Sequence, residues 1–298
     1  MGKRTLTGVA IFLITALFVS LRYLSIHFFD VFVMAISFVA CFEVLKLYDK
    51  SNRKSSKMYI YLSISYVYII YLAYLFADNY TQALIYQLFL FAIYFIISFV
   101  FEILFLSRHR DEEISNDDLL LSTKRLLTTM IYPTTLLGTL YGINSFNLNK
   151  ATLILVLVFG VSMFTDVFAY LIGVTFHKGK FATQISPKKS VSGAIGGVIG
   201  GVIFAGLTLY LCYFVGLYNP FTSATDSTLK IVLFFTFSGL LGSLITEFGD
   251  LVASSIKRVY GVKDYGNIFP GHGGMMDRVD GLMFCSSVIY ILAMLFLF

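Results

Sequence analysis

Charge is what this chain lacks. Only 13% of its 298 residues are Asp, Glu, Lys or Arg, against 58% hydrophobic, and the mean hydropathy is +0.82. No water-soluble core absorbs that much apolar surface, so the composition excludes an ordinary soluble domain and indicates a polytopic membrane protein. Cysteine is nearly as scarce. Cys41, Cys212 and Cys285 each sit inside an apolar run, without pairable spacing or companion histidines, which argues against a disulfide framework or a zinc site. The formal charge of +5 is scattered over short loops, a pattern that suits anionic lipid headgroups and speaks against a nucleic-acid partner. No signal-peptide cleavage pattern follows Met1-Gly2-Lys3-Arg4, so the first apolar run is expected to be retained.

What is present is apolar runs. A membrane span needs about 20 mainly apolar residues, and nine stretches qualify, at roughly 5–21, 28–46, 58–77, 83–106, 126–142, 151–176, 191–215, 230–248 and 275–298. The first, fifth and eighth are short. The expected fold is therefore all-α, with about nine transmembrane helices. Nineteen of the 22 lysines and arginines fall at the N-terminus or near the loops after spans 2, 4, 6 and 8, leaving Arg22, Lys150 and Lys230 on the other side. The positive-inside rule then makes the N-terminus cytoplasmic and the C-terminus not. It also puts loops 177–190 and 249–274 on one cytoplasmic face, where they can form a single active site.

Residues 1–125 read as a scaffold. The tyrosines 59, 61, 66, 68, 71 and 74 fit packing and interface belts, the mixed run Arg108–Glu113 fits a solvated loop, and Glu43 and Glu102 near span ends receive no function. The catalytic region is expected over 126–298.

Span 6 differs, because Asp166 lies about ten residues from its cytoplasmic end, roughly 15 Å deep at 1.5 Å per residue. A charge there costs several kcal/mol, on the order of 3, unless it faces a polar cavity or a partner. Asp166, Tyr170, Gly173 and His177 recur at helical spacing. They form either the wall of a substrate cavity or an interhelical hydrogen bond. The following loop carries four lysines and ends in Ser186-Pro187-Lys188-Lys189-Ser190. Ser190 and Ser192 precede a helix whose first amides are open to phosphate. Gly193, Gly197 and Gly201, flanked by Gly196 and Gly200, form a close-packing stripe.

Carboxylates, cations and glycines concentrate between Gly249 and Asp280. Asp250, Asp264, Asp277 and Asp280 suit a cation, while Lys257, Arg258, Lys263 and Arg278 suit phosphate, a combination that fits a metal-bound polyphosphate. Span 8 is expected to continue as a helix to about Tyr260, with Asp250, Ser254 and Lys257 on one face. Gly261, Gly266, Pro270 and Gly271 then break it. A last helix starting near Met275 would carry Asp277 and Asp280 in its first turns, where the macrodipole favours acids.

Ser255-Ile256-Lys257-Arg258, Lys263-Asp264 and Gly271-His272-Gly273-Gly274-Met275-Met276-Asp277-Arg278-Val279-Asp280 resemble the signature of the phosphatidate cytidylyltransferase, or CDP-diacylglycerol synthase, family. The likeness extends to Asp166, Ala169-Tyr170, Gly173 and Ser186-Pro187-Lys188-Lys189, so it covers about 160–298. It implies a membrane enzyme, here of a bacterial plasma membrane, that condenses CTP with phosphatidic acid and releases pyrophosphate. It further implies a homodimer and magnesium, with or without a second cation. On the matching positions, Asp250, Asp277, Lys257 and Arg278 would be catalytic, and Asp250, Asp277 and Asp280 would hold metal. Asp166, Ser186, Lys188, Lys189, Arg258, Lys263, Asp264, His272, Gly273 and Gly274 would bind substrate. This chain has Val167-Phe168 where the family has Thr-Gly, and Ser190-Val191-Ser192 where it has Thr-Trp-Glu.

The residues read on their own support nucleotidyl transfer, which is mostly positioning and charge neutralisation. A phosphate monoester is already largely ionised at neutral pH, so His272 is better suited to donating a hydrogen bond than to acting as a base. Two rivals share parts of this chemistry, a CTP-dependent lipid kinase and a carrier of anionic solutes. The carrier lacks an inverted repeat.

Overall fold

The computed structural model describes residues 2–49, 58–77, 80–108, 116–176, 179, 186, 189–221, 227–269, 271 and 273–298. Among them the chain runs through ten α-helices and two π-helical turns, with no β-strand beyond one isolated bridge. They form two compact units, Met1–Ser145 with Asp264–Asp277, and Phe146–Lys263 with Arg278–Phe298.

The first unit holds α1 (Gly2–Leu21), α2 (Ile26–Asp49), α3 (Met58–Leu75), α4 (Tyr80–Arg108), α5 (Asn116–Thr129) and α6 (Leu136–Asn144). The stretch expected as a fifth span, 126–142, is not one helix. A π-helical turn, Met130–Thr135, separates α5 from α6, and Tyr132 there leaves helical geometry at φ −120°, ψ 111°. The physical reason is Pro133, which has no amide to donate and pushes the residue before it toward extended backbone. The tyrosines of α3 sort by side: Tyr59, Tyr66 and Tyr74 are buried, and Tyr61 and Tyr68 are exposed. The turn from α1 to α2 is held by a polar network. Buried Arg22 donates through Nε to Asn144 Oδ1, and Asn144 Nδ2 donates to Asp30 Oδ1 at 2.7 Å. This satisfies an arginine that burial would otherwise make costly.

The second unit holds α7 (Leu148–Phe176), α8 (Val191–Leu209), α9 (Thr228–Val259) and most of α10 (Met276–Phe296). Ser190 caps α8, its Oγ accepting from the Gly193 amide at 3.1 Å. The glycine stripe of α8 packs as its spacing predicts. A Cβ at Gly193 would lie 2.9 Å from the Ala169 carbonyl, one at Gly200 would lie 2.7 Å from the Phe164 carbonyl, and one at Gly201 would lie 2.8 Å from Ser243 Cβ. Backbone of α7 and the Ser243 side chain of α9 thus reach α8 at distances that only glycine permits. The same happens where α9 meets α10: a Cβ at Gly249 would stand 2.6 Å from the Asp280 carbonyl.

Among the described residues, helices α2, α4, α7 and α9, with α8 extended through its π turn and with α10, are long and apolar enough to cross a membrane, six candidates in all. Thr7–Leu21 and Tyr59–Leu75 are shorter apolar helices. The fold is all-α and polytopic. Among the described residues the expected count of nine spans is not confirmed, since Thr7–Leu21 and Tyr59–Leu75 are short and the stretch 126–142 is broken by its π turn.

Candidate active site

In the second unit the polar residues gather where α7, α8, α9 and α10 approach one another. Lys189, just ahead of α8, reaches across to α9. Its Nζ lies 3.0 Å from Glu247 Oε2 and 2.7 Å from Asp250 Oδ2. Burial pushes an ammonium toward its neutral form, but the carboxylates of Asp250 and Glu247 outweigh that, and the Lys189 pKa is raised above the ordinary lysine value. The other Glu247 oxygen, Oε1, is buried without a hydrogen-bond partner and lies against Gly197, where a Cβ would collide with it.

Gly249 and Gly281 each pack tightly against the other helix where α9 meets α10, and Asp250 and Asp280 are their neighbours in the chain. Asp166 of α7 interacts electrostatically with Asp250, Lys189, Glu247 and Arg278, and Asp280 with Asp250, Asp166 and Lys257. Asp166 is exposed although it sits in the apolar run of α7. A carboxylate there, with Asp250, Lys189, Glu247 and Arg278 near it, fits the wall of a polar cavity. Of its predicted face, Tyr170 is exposed and Gly173 packs beside Ser190, while His177 lies outside the described residues.

Lys257 is buried and Arg258 exposed at the end of α9. The helix stops as its sequence requires. Gly261 takes φ +65°, its amide donates to the Arg258 carbonyl at 3.1 Å, and the Val262 amide donates to the Lys257 carbonyl at 2.9 Å. These paired bonds satisfy carbonyls that the helix end would leave open. Lys263 is exposed, as is Arg278 on α10. Ser186 is half-buried, and Lys188 lies outside the described residues.

The first unit contains the glycine-rich segment. Phe269 and Gly273 pair across a tight turn, the Phe269 amide donating to the Gly273 carbonyl at 2.9 Å, with Gly271 and Gly273 at φ +79° and +84°. A side chain at Gly273 would be strained by that backbone and would also crowd Asp277 Oδ2. Asp277 is buried, and its Oδ2 accepts from the Tyr265 amide at 2.8 Å and the Gly274 amide at 2.9 Å. Met275 and Met276 donate their amides to Glu43, at 3.0 Å to Oε1 and 2.8 Å to Oε2. Asp264 is exposed, Gly274 is buried, and His272 lies outside the described residues.

Lys189, Asp166, Asp250, Asp280, Lys257 and Arg278 therefore belong to one unit, and Asp264, Gly273, Gly274 and Asp277 to the other. Two residues of these arrangements, Glu247 and Glu43, were not expected. Glu43 is a lone acid near the end of an apolar run and Glu247 stands one turn before Asp250, and that was the available signal. The partner of Glu247 lies 58 positions away and those of Glu43 lie 232 and 233 away, beyond the reach of any local spacing. Among the described residues no group of three or more His, Cys, Asp or Glu side chains is gathered as a dedicated metal cage.

Comparison with known proteins matches the sequence of this chain to a family. The chain is similar to phosphatidate cytidylyltransferases of Thermotoga maritima (37% identical over 126 residues, 42% of this chain and 43% of the relative) and Staphylococcus aureus (40% over 128 residues, 43% and 44%). It is also similar to that of Bacillus subtilis, 36% identical over 132 residues, 44% of each chain. Each alignment thus spans less than half of the relative. The model of the cytidylyltransferase family, in contrast, matches residues 2–296, nearly the whole chain. With that coverage, the protein belongs to the cytidylyltransferase family.

Proposed function

We propose that this protein transfers the cytidylyl group of CTP to phosphatidic acid, forming CDP-diacylglycerol and pyrophosphate for phospholipid synthesis. The observation that carries the reading is the cluster of acids and cations on α7, α9, α10 and the segment ahead of α8, in a chain of this family whose relatives are named for that reaction. A phosphate oxygen of phosphatidate attacks the α-phosphorus of CTP, the bond from that phosphorus to the β-phosphate oxygen breaks, and pyrophosphate leaves with the electron pair. Both partners are anionic, so the demand on the protein is to hold like charges together in line. Lys189, Lys257 and Arg278 supply positive charge for phosphate oxygens, assisted by Arg258, Lys263 and Lys188. Ser186, Asp264, His272, Gly273 and Gly274 shape the substrate-binding segments, and Asp166 lines the path of the lipid headgroup.

Magnesium fits this donor set, because it takes one or two protein carboxylates and completes its octahedron with phosphate oxygens and water. Asp250 and Asp277 are the ligands proposed, with Asp280 serving a second cation. When bound, the ion would neutralise charge on the triphosphate. Asp277 would act from a fixed orientation, since two backbone amides hold its Oδ2. The site faces the cytoplasm, where CTP is, and the protein works as a homodimer.

Purified protein given CTP labelled in its cytosine, together with phosphatidate and magnesium, should yield labelled CDP-lipid and one pyrophosphate per turnover. Transfer of the γ-phosphate to lipid instead would identify a kinase. Magnesium-independent uptake of anionic solutes into vesicles, without lipid product, would identify a carrier.

A further inference from the structure

The first turn of any helix presents amides without intrahelical partners, and a local Ser, Thr, Asp or Asn usually satisfies them. Ahead of α10 the chain offers only Gly273-Gly274-Met275. The partner comes instead from α2. Glu43 is 3% exposed and receives the amides of Met275 and Met276, one on each oxygen. The glycines around it are shaped to its carboxylate. A Cβ at Gly266 or at Gly274 would collide with it, and at Gly266 the three nearest atoms all belong to Glu43. Just beyond, Asp277 closes the same segment by taking the amides of Tyr265 and Gly274. Four amides of one short segment thus end on two carboxylates, one of them supplied by a helix that carries no other candidate site residue.

We propose that Glu43 is a positioning residue for the reaction, fixing the backbone of Gly266 and of residues 274–276 and with it the orientation of Asp277. This rests on the role proposed above for Asp277. It also gives the N-terminal helices a part in the chemistry, by holding the backbone from which a catalytic carboxylate projects.

The test uses the full-length protein in lipid nanodiscs. Glu43→Gln keeps size but offers a single acceptor oxygen to two donors. Hydrogen exchange of amides 265 and 274–276 should accelerate by about tenfold while the other helices keep their protection. In the same variant kcat should fall by about tenfold or more, with KM for phosphatidate changed less than about threefold. Gly266→Ala should reproduce both effects through its collision with Glu43. The double variant Glu43→Ala/Gly266→Ala should be no worse than Glu43→Ala, because the collision partner is gone. Unchanged exchange over 264–276 in Glu43→Gln, or additive losses in the double variant, would overturn the proposal. If Glu43→Ala does not fold, Glu43→Gln and Gly266→Ala decide by exchange alone. That readout needs no turnover, so a wild-type protein inactive with CTP and phosphatidate would sink the proposed reaction and leave the judgement on Glu43 intact.

Discussion

The Lys189 ammonium stands 2.7 Å from the Asp250 carboxylate and 3.0 Å from that of Glu247. One cation ahead of α8 is therefore shared by two acids a single turn apart on α9. Replacing Lys189 by Met leaves those acids facing each other without a counter-charge, and it removes a cation proposed to hold phosphate. The expected loss in kcat is about 10²-fold, the size seen when one preorganised electrostatic contact is removed. Steady-state kinetics with CTP and phosphatidate would measure it, and ordinary kinetics would mean that Lys189 is only a structural bridge.

The same ion pairs set a pH dependence. The Lys189 pKa is raised by Asp250 and Glu247 against the opposing effect of burial. Its contribution to stability is complete below the ordinary lysine pKa and disappears as the pH climbs through the raised value. Thermal midpoints measured on the alkaline side should therefore fall with pH more steeply in the wild type than in Lys189→Met. Parallel curves would show that the pairs do not contribute.

Asp250→Asn and Asp277→Asn each keep shape and remove charge. If the two hold one magnesium ion, each should lower turnover by about 10³-fold or more, and the double variant should be scarcely worse than either single one. Binding of manganese, followed by electron paramagnetic resonance, should weaken in both. Near-normal activity in either variant would redirect the assignment to Asp264 and Asp280.

Two glycines of α8 should respond oppositely to one methyl group. At Gly201 a Cβ meets Ser243 and Thr165 at 2.8 to 2.9 Å, whereas at Gly206 nothing lies within 4 Å. Gly201→Ala should destabilise by about 1–3 kcal/mol through overpacking. Gly206→Ala should be neutral or stabilise by up to about 1 kcal/mol, from helix propensity. Thermal unfolding in detergent compares them directly.

Cysteines placed at Lys180 and Asn267 should label from the cytoplasmic side of sealed vesicles, and one placed at Ser223 from the opposite side. Labelling of 180 and 267 from different faces would break the single-site reading.

Helix positions were legible wherever one physical signal dominated. The apolar length of α7, the glycine spacing of α8 and the Gly261 stop of α9 all predicted what is seen, because each is a local property of the chain. The stretch 126–142 was read as continuous because its hydropathy outweighed Pro133, yet backbone sterics at Tyr132 decide the geometry there. The eighth apolar run is short, but the helical spacing of Asp250, Ser254 and Lys257 carries the helix on to about Tyr260, and α9 ends at Val259. Of the site, residue types and spacing marked Asp166, Lys189, Asp250 and Asp277 as candidates. Which acid meets which cation was not legible. The link from Lys189 to Glu247 depends on how α8 packs on α9, and that from Glu43 to Met276 on a fold that brings positions 233 apart together.

The 32 residues of α9 make a rod of about 48 Å at 1.5 Å per residue, while the hydrocarbon of a bilayer is only about 30 Å thick. Roughly the last third of the rod, the part bearing Asp250, Lys257 and Arg258, has no hydrocarbon to lie in and must stand in the headgroup layer or beyond. Charges carried on a continuous helix keep their mutual spacing as lipids jostle around them, and little conformational freedom is left for the proposed polyphosphate to remove. Membrane thickness thereby becomes a variable of the site. A thicker bilayer would draw Asp250 toward oil and a thinner one would lift it into water, so activity should follow acyl-chain length even for a water-soluble nucleotide.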